Sequence, residues 1–151
     1  MSVGPSVTRL FQKGEAYWRS AVALQAAGIK NDHADVPIRN LYSHAIEMYL
    51  KSYLNFHGHS VDELDGKFRQ NFRRIRRRVE SFGLRFAGRD KATMEYFVHT
   101  PAAVRLEYSG TAYYSAPTLE DLYDLCLRLR EFIGTEVGLG SGCLGECQDD
   151  A

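Results

Sequence analysis

Cysteine is scarce in this chain and comes late. Its three copies, Cys126, Cys143 and Cys147, are too few and too far along to make a disulfide framework. Cys143 and Cys147 are separated by three residues in a Gly-rich stretch. That is half of a zinc site, and no second ligand pair lies at suitable spacing. His57 and His59, two apart, are likewise an incomplete set. No metal or other cofactor is therefore expected. Long apolar runs are also missing: none approaches the roughly 18 residues that span a bilayer. Met1 to Arg9 lacks the basic-then-apolar order of a secretory leader. These absences predict no membrane partner and a cytoplasmic protein with reduced thiols. Neither sign of charge is in excess, with 19 basic and 19 acidic residues. That balance demands neither a nucleic acid nor a membrane surface. No P-loop, dinucleotide fingerprint or nucleophile elbow occurs, so the enzyme classes built on those motifs have no support.

What is present is a helical pattern. The chain has 151 residues, enough for one domain with its own hydrophobic core. Nine Tyr and eight Phe supply large areas to bury. Val7, Leu10, Phe11, Tyr17, Trp18, Ala21 and Leu24 recur at three- and four-residue steps, which predicts a helix from about Ser6 to Ala27. Gly14 interrupts that stripe, and Gly28 stops it. A second helix is predicted from about Val36 to His57, with Pro37 in its first turn and Gly58 after its end. Ser60 and Glu63 have capping-box spacing. Phe68, Phe72, Ile75, Val79 and Phe82 predict a helix over Lys67 to Phe82, closed by Gly83. Another is expected from Asp90 to His99, limited by Pro101. Val104, Leu106 and Tyr108 alternate as in a strand. Thr118 and Asp121 resemble a cap for a last helix carrying Leu122, Leu125, Cys126, Leu129, Phe132 and Ile133.

The fold expectation is all-α: an up-and-down bundle of four to five helices with one short hairpin or extended loop near 103–115. Residues 1–137 form the domain. Five glycines from Gly134 onward and the lost periodicity make 138–151 a flexible tail.

Ser43-His-Ala-Ile-Glu-Met-Tyr-Leu-Lys-Ser-Tyr-Leu54, followed by Gly58-His-Ser60, resembles the second helix of bacterial HEPN-like proteins. Weaker likenesses follow at Gln70-Asn-Phe72 with Ile75, Val79 and Gly83, and at Val104 to Tyr108, Gly110 and Pro117. The resemblance implies a helical bundle that pairs as a homodimer. It also implies either a metal-independent ribonuclease or a non-catalytic RNA-binding or adaptor unit. A separately encoded nucleotidyltransferase or antitoxin would be its partner in a toxin–antitoxin or defence setting. Tyr42, Tyr49 and Tyr53 on the second helix also suggest apolar surface beyond what one bundle covers.

The ribonuclease motif of that family, Arg with a polar residue next and His a few positions on, has a match in Arg39-Asn40 and His44. Histidine would move protons near neutral pH, and arginine would stabilise charge on phosphate oxygens. Five helical steps separate Arg39 from His44 by roughly 140° around the axis, so one helix does not aim both at one phosphate. The family's motif also lies on a later helix. The weight is against catalysis.

Lys67, Arg69, Arg73, Arg74, Arg76, Arg77 and Arg78 are the second candidate site, with no acid among them. Helical spacing groups Arg69, Arg73, Arg76 and Arg77 on one flank and Lys67, Arg74 and Arg78 on the other. Such a surface meets phosphates, as RNA or a nucleotide, or else acids. Those acids would be Glu120, Asp121 and Asp124 of the last helix, or an acidic partner protein. The leading expectation is a non-catalytic RNA- or nucleotide-contacting or adaptor module.

Overall fold

The computed structural model describes residues 4–29, 33, 35–100 and 116–139. The hairpin expected near 103–115, Cys143, Cys147 and most of the Gly-rich tail lie outside them. Six helices occur among the described residues: α1 (Pro5–Ala26), α2 (Asp35–Phe56), α3 (Val61–Asp65), α4 (Phe72–Ser81), α5 (Arg89–His99) and α6 (Leu119–Glu136). Among the described residues there is no strand. The all-α expectation holds, and no described helix is long and apolar enough to cross a membrane.

The helices begin and end where local chemistry directs. Ser60 and Glu63 close a capping box on α3, and Thr118 and Asp121 close another on α6. Gly58 and Gly83 follow α2 and α4 with φ of 105° and 109°, a conformation that favours glycine.

Helix α2 is the axis of the bundle. It packs antiparallel to α1, as three contacts along its length record. The Tyr42 hydroxyl donates to Gln25 Oε1 at 2.8 Å, Tyr49 to Glu15 Oε1 at 2.7 Å, and Ser6 reaches Asn55 Oδ1 at 2.6 Å. Helix α6 covers a second face of α2, with Cys126 against Tyr42 and Phe132 against Tyr53. Helices α4 and α5 close the remaining side through the Phe72–Phe97 stack, centroids 4.9 Å apart.

Tyr42, Tyr49 and Tyr53 are all buried inside this one chain. The apolar surface that suggested a second copy is therefore covered by α1, α4 and α6, because each phenol finds a partner within the bundle. Tyr53 donates to the carbonyl of Phe82 at 3.0 Å.

Two boundaries differ from the sequence expectation. Helix α4 starts at Phe72, not Lys67. The apolar stripe does run back to Phe68, which is buried, but from a turn. Gln70 has φ of 51°, which breaks the helical path, and Asn71 Oδ1 then accepts the Arg74 N–H at 3.1 Å as the N-cap. At the other end, α6 runs through Gly134 to Glu136. Val137 is buried and Leu139 packs against the core, so Gly138 and Leu139 stay with the bundle.

Candidate nucleic-acid interface

Phe72, Ile75 and Val79 are the buried stripe of α4. A ten-residue helix with three fully buried positions leaves its remaining side chains on its flanks and outer face. Five of those are arginines, and their surroundings divide them.

Arg76 is the one turned in. Its Nη1 donates to Glu95 Oε1 at 2.7 Å and its Nε lies 3.6 Å from Glu80 Oε1. That hydrogen bond from Arg76 also pulls the Glu95 carboxyl below its ordinary range. Arg76 therefore does not share an exposed flank with Arg73 and Arg77, as helical spacing alone predicts. Arg73 and Arg77 stay exposed, as does Arg69 in the preceding turn, and none of the three meets a carboxylate among the described residues. Arg74 reaches the Lys67 carbonyl at 3.4 Å. Lys67 sits 3.4 Å from Glu63 Oε2.

Arg78 makes the contact that sequence spacing had not brought out. Its Nε donates to Nε2 of His59 at 2.8 Å, and its guanidinium lies 4.8 Å from the Phe82 ring centroid. His59 Nδ1 faces Glu63 Oε2 at 3.2 Å. Glu63 is held down from an ordinary 4.5 to about 2, first by the Ser60 backbone N–H and then by His59. His57 stacks on Phe82, centroids 4.3 Å apart and planes 8° from parallel. Burial is the main cause that lowers its pKa.

Among the described residues no ion pair joins the acids of the last helix to this surface. Asp121 pairs with Arg89 at 3.7 Å. The acids near the basic helix are Glu63, Glu80 and Glu95 instead, brought in by α3, α4 itself and α5.

The other candidate set lies elsewhere. Arg39 Nη1 donates to the Pro117 carbonyl at 2.6 Å, fixing the entry to α6, and its buried Nε has no hydrogen bond among the described residues. His44 stacks on Tyr17 of α1 with centroids 5.0 Å apart. Asn40 is half-buried between them in sequence. Among the described residues no contact joins Arg39 to His44, as their separation around the helix implies. No group of three His, Cys, Asp or Glu side chains able to hold a metal occurs among the described residues.

A groove of about 500 Å³ runs between residues 84–90 and α6. Leu84, Phe86, Leu125, Leu129 and Phe132 form its apolar floor, and Arg128 paired with Asp90 stands at its edge.

No protein-family model matches this chain, and neither a curated protein nor a solved structure matches it.

Proposed function

We propose that this chain is a non-catalytic HEPN-type helical module that contacts the phosphate backbone of RNA through α4. One observation carries the reading. Acids neutralise the inward Arg76, while Arg73 and Arg77, one turn apart on the solvent side, have no carboxylate among the described residues. Like charges one turn apart repel. A polyanion laid along them removes that repulsion and gains from counterion release. The likeness of residues 43–60 to a HEPN second helix supports the same reading. It brings with it a cytoplasmic setting, pairing of two copies and a separately encoded nucleotidyltransferase or antitoxin.

The separate surroundings of Arg39 and His44 support the non-catalytic part. A metal-independent cleavage site needs base and cation at one phosphate.

The test is RNA binding against salt. With wild type, affinity falls steeply as salt rises. Arg73→Gln with Arg77→Gln removes two phosphate contacts and flattens the log–log slope by about 1.4. Wild type with no salt-dependent RNA binding ends the proposal. Capture of an acidic protein through the same two arginines, without RNA binding, replaces it with the interaction-protein reading.

A further inference from the structure

Arg78 differs from every other arginine on the ridge in how it is held. Its Nε donates to His59 and its guanidinium carbon lies over the Phe82 ring. Both supports are themselves fixed. Because His59 Nε2 accepts from Arg78, Nδ1 carries the proton and donates to Glu63. Glu63 is locked in turn by the capping box of α3. The His59 ring sits edge-on to Phe68 at 5.0 Å and its side chain is only 12% exposed. Phe82 is backed by the His57 stack.

This arrangement has two consequences. The partner on Nε is a neutral imidazole, so the charge of Arg78 is not cancelled as that of Arg76 is by Glu95. The terminal nitrogens, Nη1 and Nη2, have no partner among the described residues, and Arg78 is exposed. An arginine held in advance at Nε and over a ring loses little further freedom when its fork meets two oxygens. That fork matches the paired oxygens of a phosphate.

We propose that Arg78 is the anchor of the α4 surface, taking two non-bridging oxygens of one RNA phosphate on its Nη fork, and that His59 is the residue that positions it. The proposal rests on the RNA reading above and names the site within it. Arg73, Arg74 and Arg77 then act as point charges for neighbouring phosphates. The one-turn step from Arg74 to Arg78 is about 6 Å along the axis. A repeating phosphate chain suits such a row better than a single carboxylate does.

The experiment compares substitutions that keep charge. A short fluorescent oligouridylate is titrated at one salt concentration and read by anisotropy. Arg78→Lys keeps the charge but loses the fork, and affinity falls about tenfold. Arg77→Lys keeps its point charge and weakens binding by less than about twofold, against the larger loss at Arg78. His59→Gln offers a neutral amide oxygen to Arg78 and retains binding, whereas His59→Leu falls toward Arg78→Lys. Thermal melts confirm that the variants are folded. Should His59→Leu unfold, Arg78→Lys against Arg77→Lys decides alone. Arg78→Lys binding as wild type, while the Arg73 and Arg77 double Gln variant weakens, overturns the anchor and leaves the RNA reading intact. No salt-dependent binding by wild type overturns both. Arg78-dependent binding of polyglutamate, with none of RNA, also overturns the phosphate assignment.

Discussion

Gly14 of α1 lies face to face with the ring of Tyr49 of α2, so closely that a Cβ at Gly14 would come 2.8 Å from Cδ1 of that ring. The tyrosine cannot retreat. It is fully buried and its hydroxyl is bonded to Glu15.

Gly14→Ala therefore destabilises the protein. Alanine is favoured over glycine in a helix by about 1 kcal/mol. Overpacking a closed site costs roughly 1–3 kcal/mol, and here backbone and ring must both shift. The net effect is a lower melting temperature, read by circular dichroism. An unchanged or raised value would mean that α1 and α2 separate at little cost.

Glu15 is the next point of strain if disturbed. Its Oε1 accepts from both Tyr49 and Arg130, while among the described residues Oε2 has no hydrogen bond and lies 3.9 Å from Arg19 Nη2. Arg130→Met strands a buried carboxylate and costs about 3–5 kcal/mol. Adding Glu15→Gln removes the charge, keeps an acceptor for Tyr49, and restores much of the loss. Trp18 is the only tryptophan and lies 4.9 Å under the Arg130 guanidinium, so its fluorescence reports urea unfolding of each variant. Equal stability of the single and double variants would show that the pair is not coupled.

How much of this was legible in the sequence depends on range. Ser60 with Glu63 and Thr118 with Asp121 are three residues apart, so their caps are visible in the chain itself. The reason for Gly14 is Tyr49 on another helix, and sequence alone records only an interruption. Phe68 kept the periodicity of α4 although Gln70 and Asn71 had already ended it on that side, since burial and helicity are separate demands. The seven cations were countable, yet which one points inward is decided by Glu95 on α5, and which one is pinned by His59 before α3. Arg39 and His44 kept the angular separation their spacing implied, because α2 is regular there.

The Glu63 carboxylate gives a pH prediction with a definite sign. Its pKa is depressed in the folded state to about 2 from an ordinary 4.5. A depressed acid stabilises above its unfolded value, and that contribution is lost as pH falls through the folded one. The stability difference between wild type and Glu63→Gln is therefore full above pH ~5.5, shrinks on acidification, and is gone below about 2. Urea melts at several pH values measure it. A difference constant across that window would mean that the α3 cap holds Glu63 no better than water does.

Arg39 and His44 give the last prediction, since a ribonuclease and the present reading require opposite outcomes from them. In a ribonuclease that uses both, either substitution abolishes cleavage and leaves the fold intact. Here Arg39 Nη1 holds the Pro117 carbonyl at the start of α6, one residue before the Thr118 cap. Arg39→Ala leaves that carbonyl without its charged donor, at a cost of about 1–3 kcal/mol. His44 stacks on Tyr17 at the half-buried edge of the α1–α2 contact, and His44→Ala costs less than about 1.5 kcal/mol. Neither touches α4, so both variants, once folded, bind RNA with the affinity and salt slope of wild type. Melting curves and salt titrations of the two variants check this. Robust RNA cleavage by wild type that disappears in a folded His44→Ala protein would make the chain an enzyme after all.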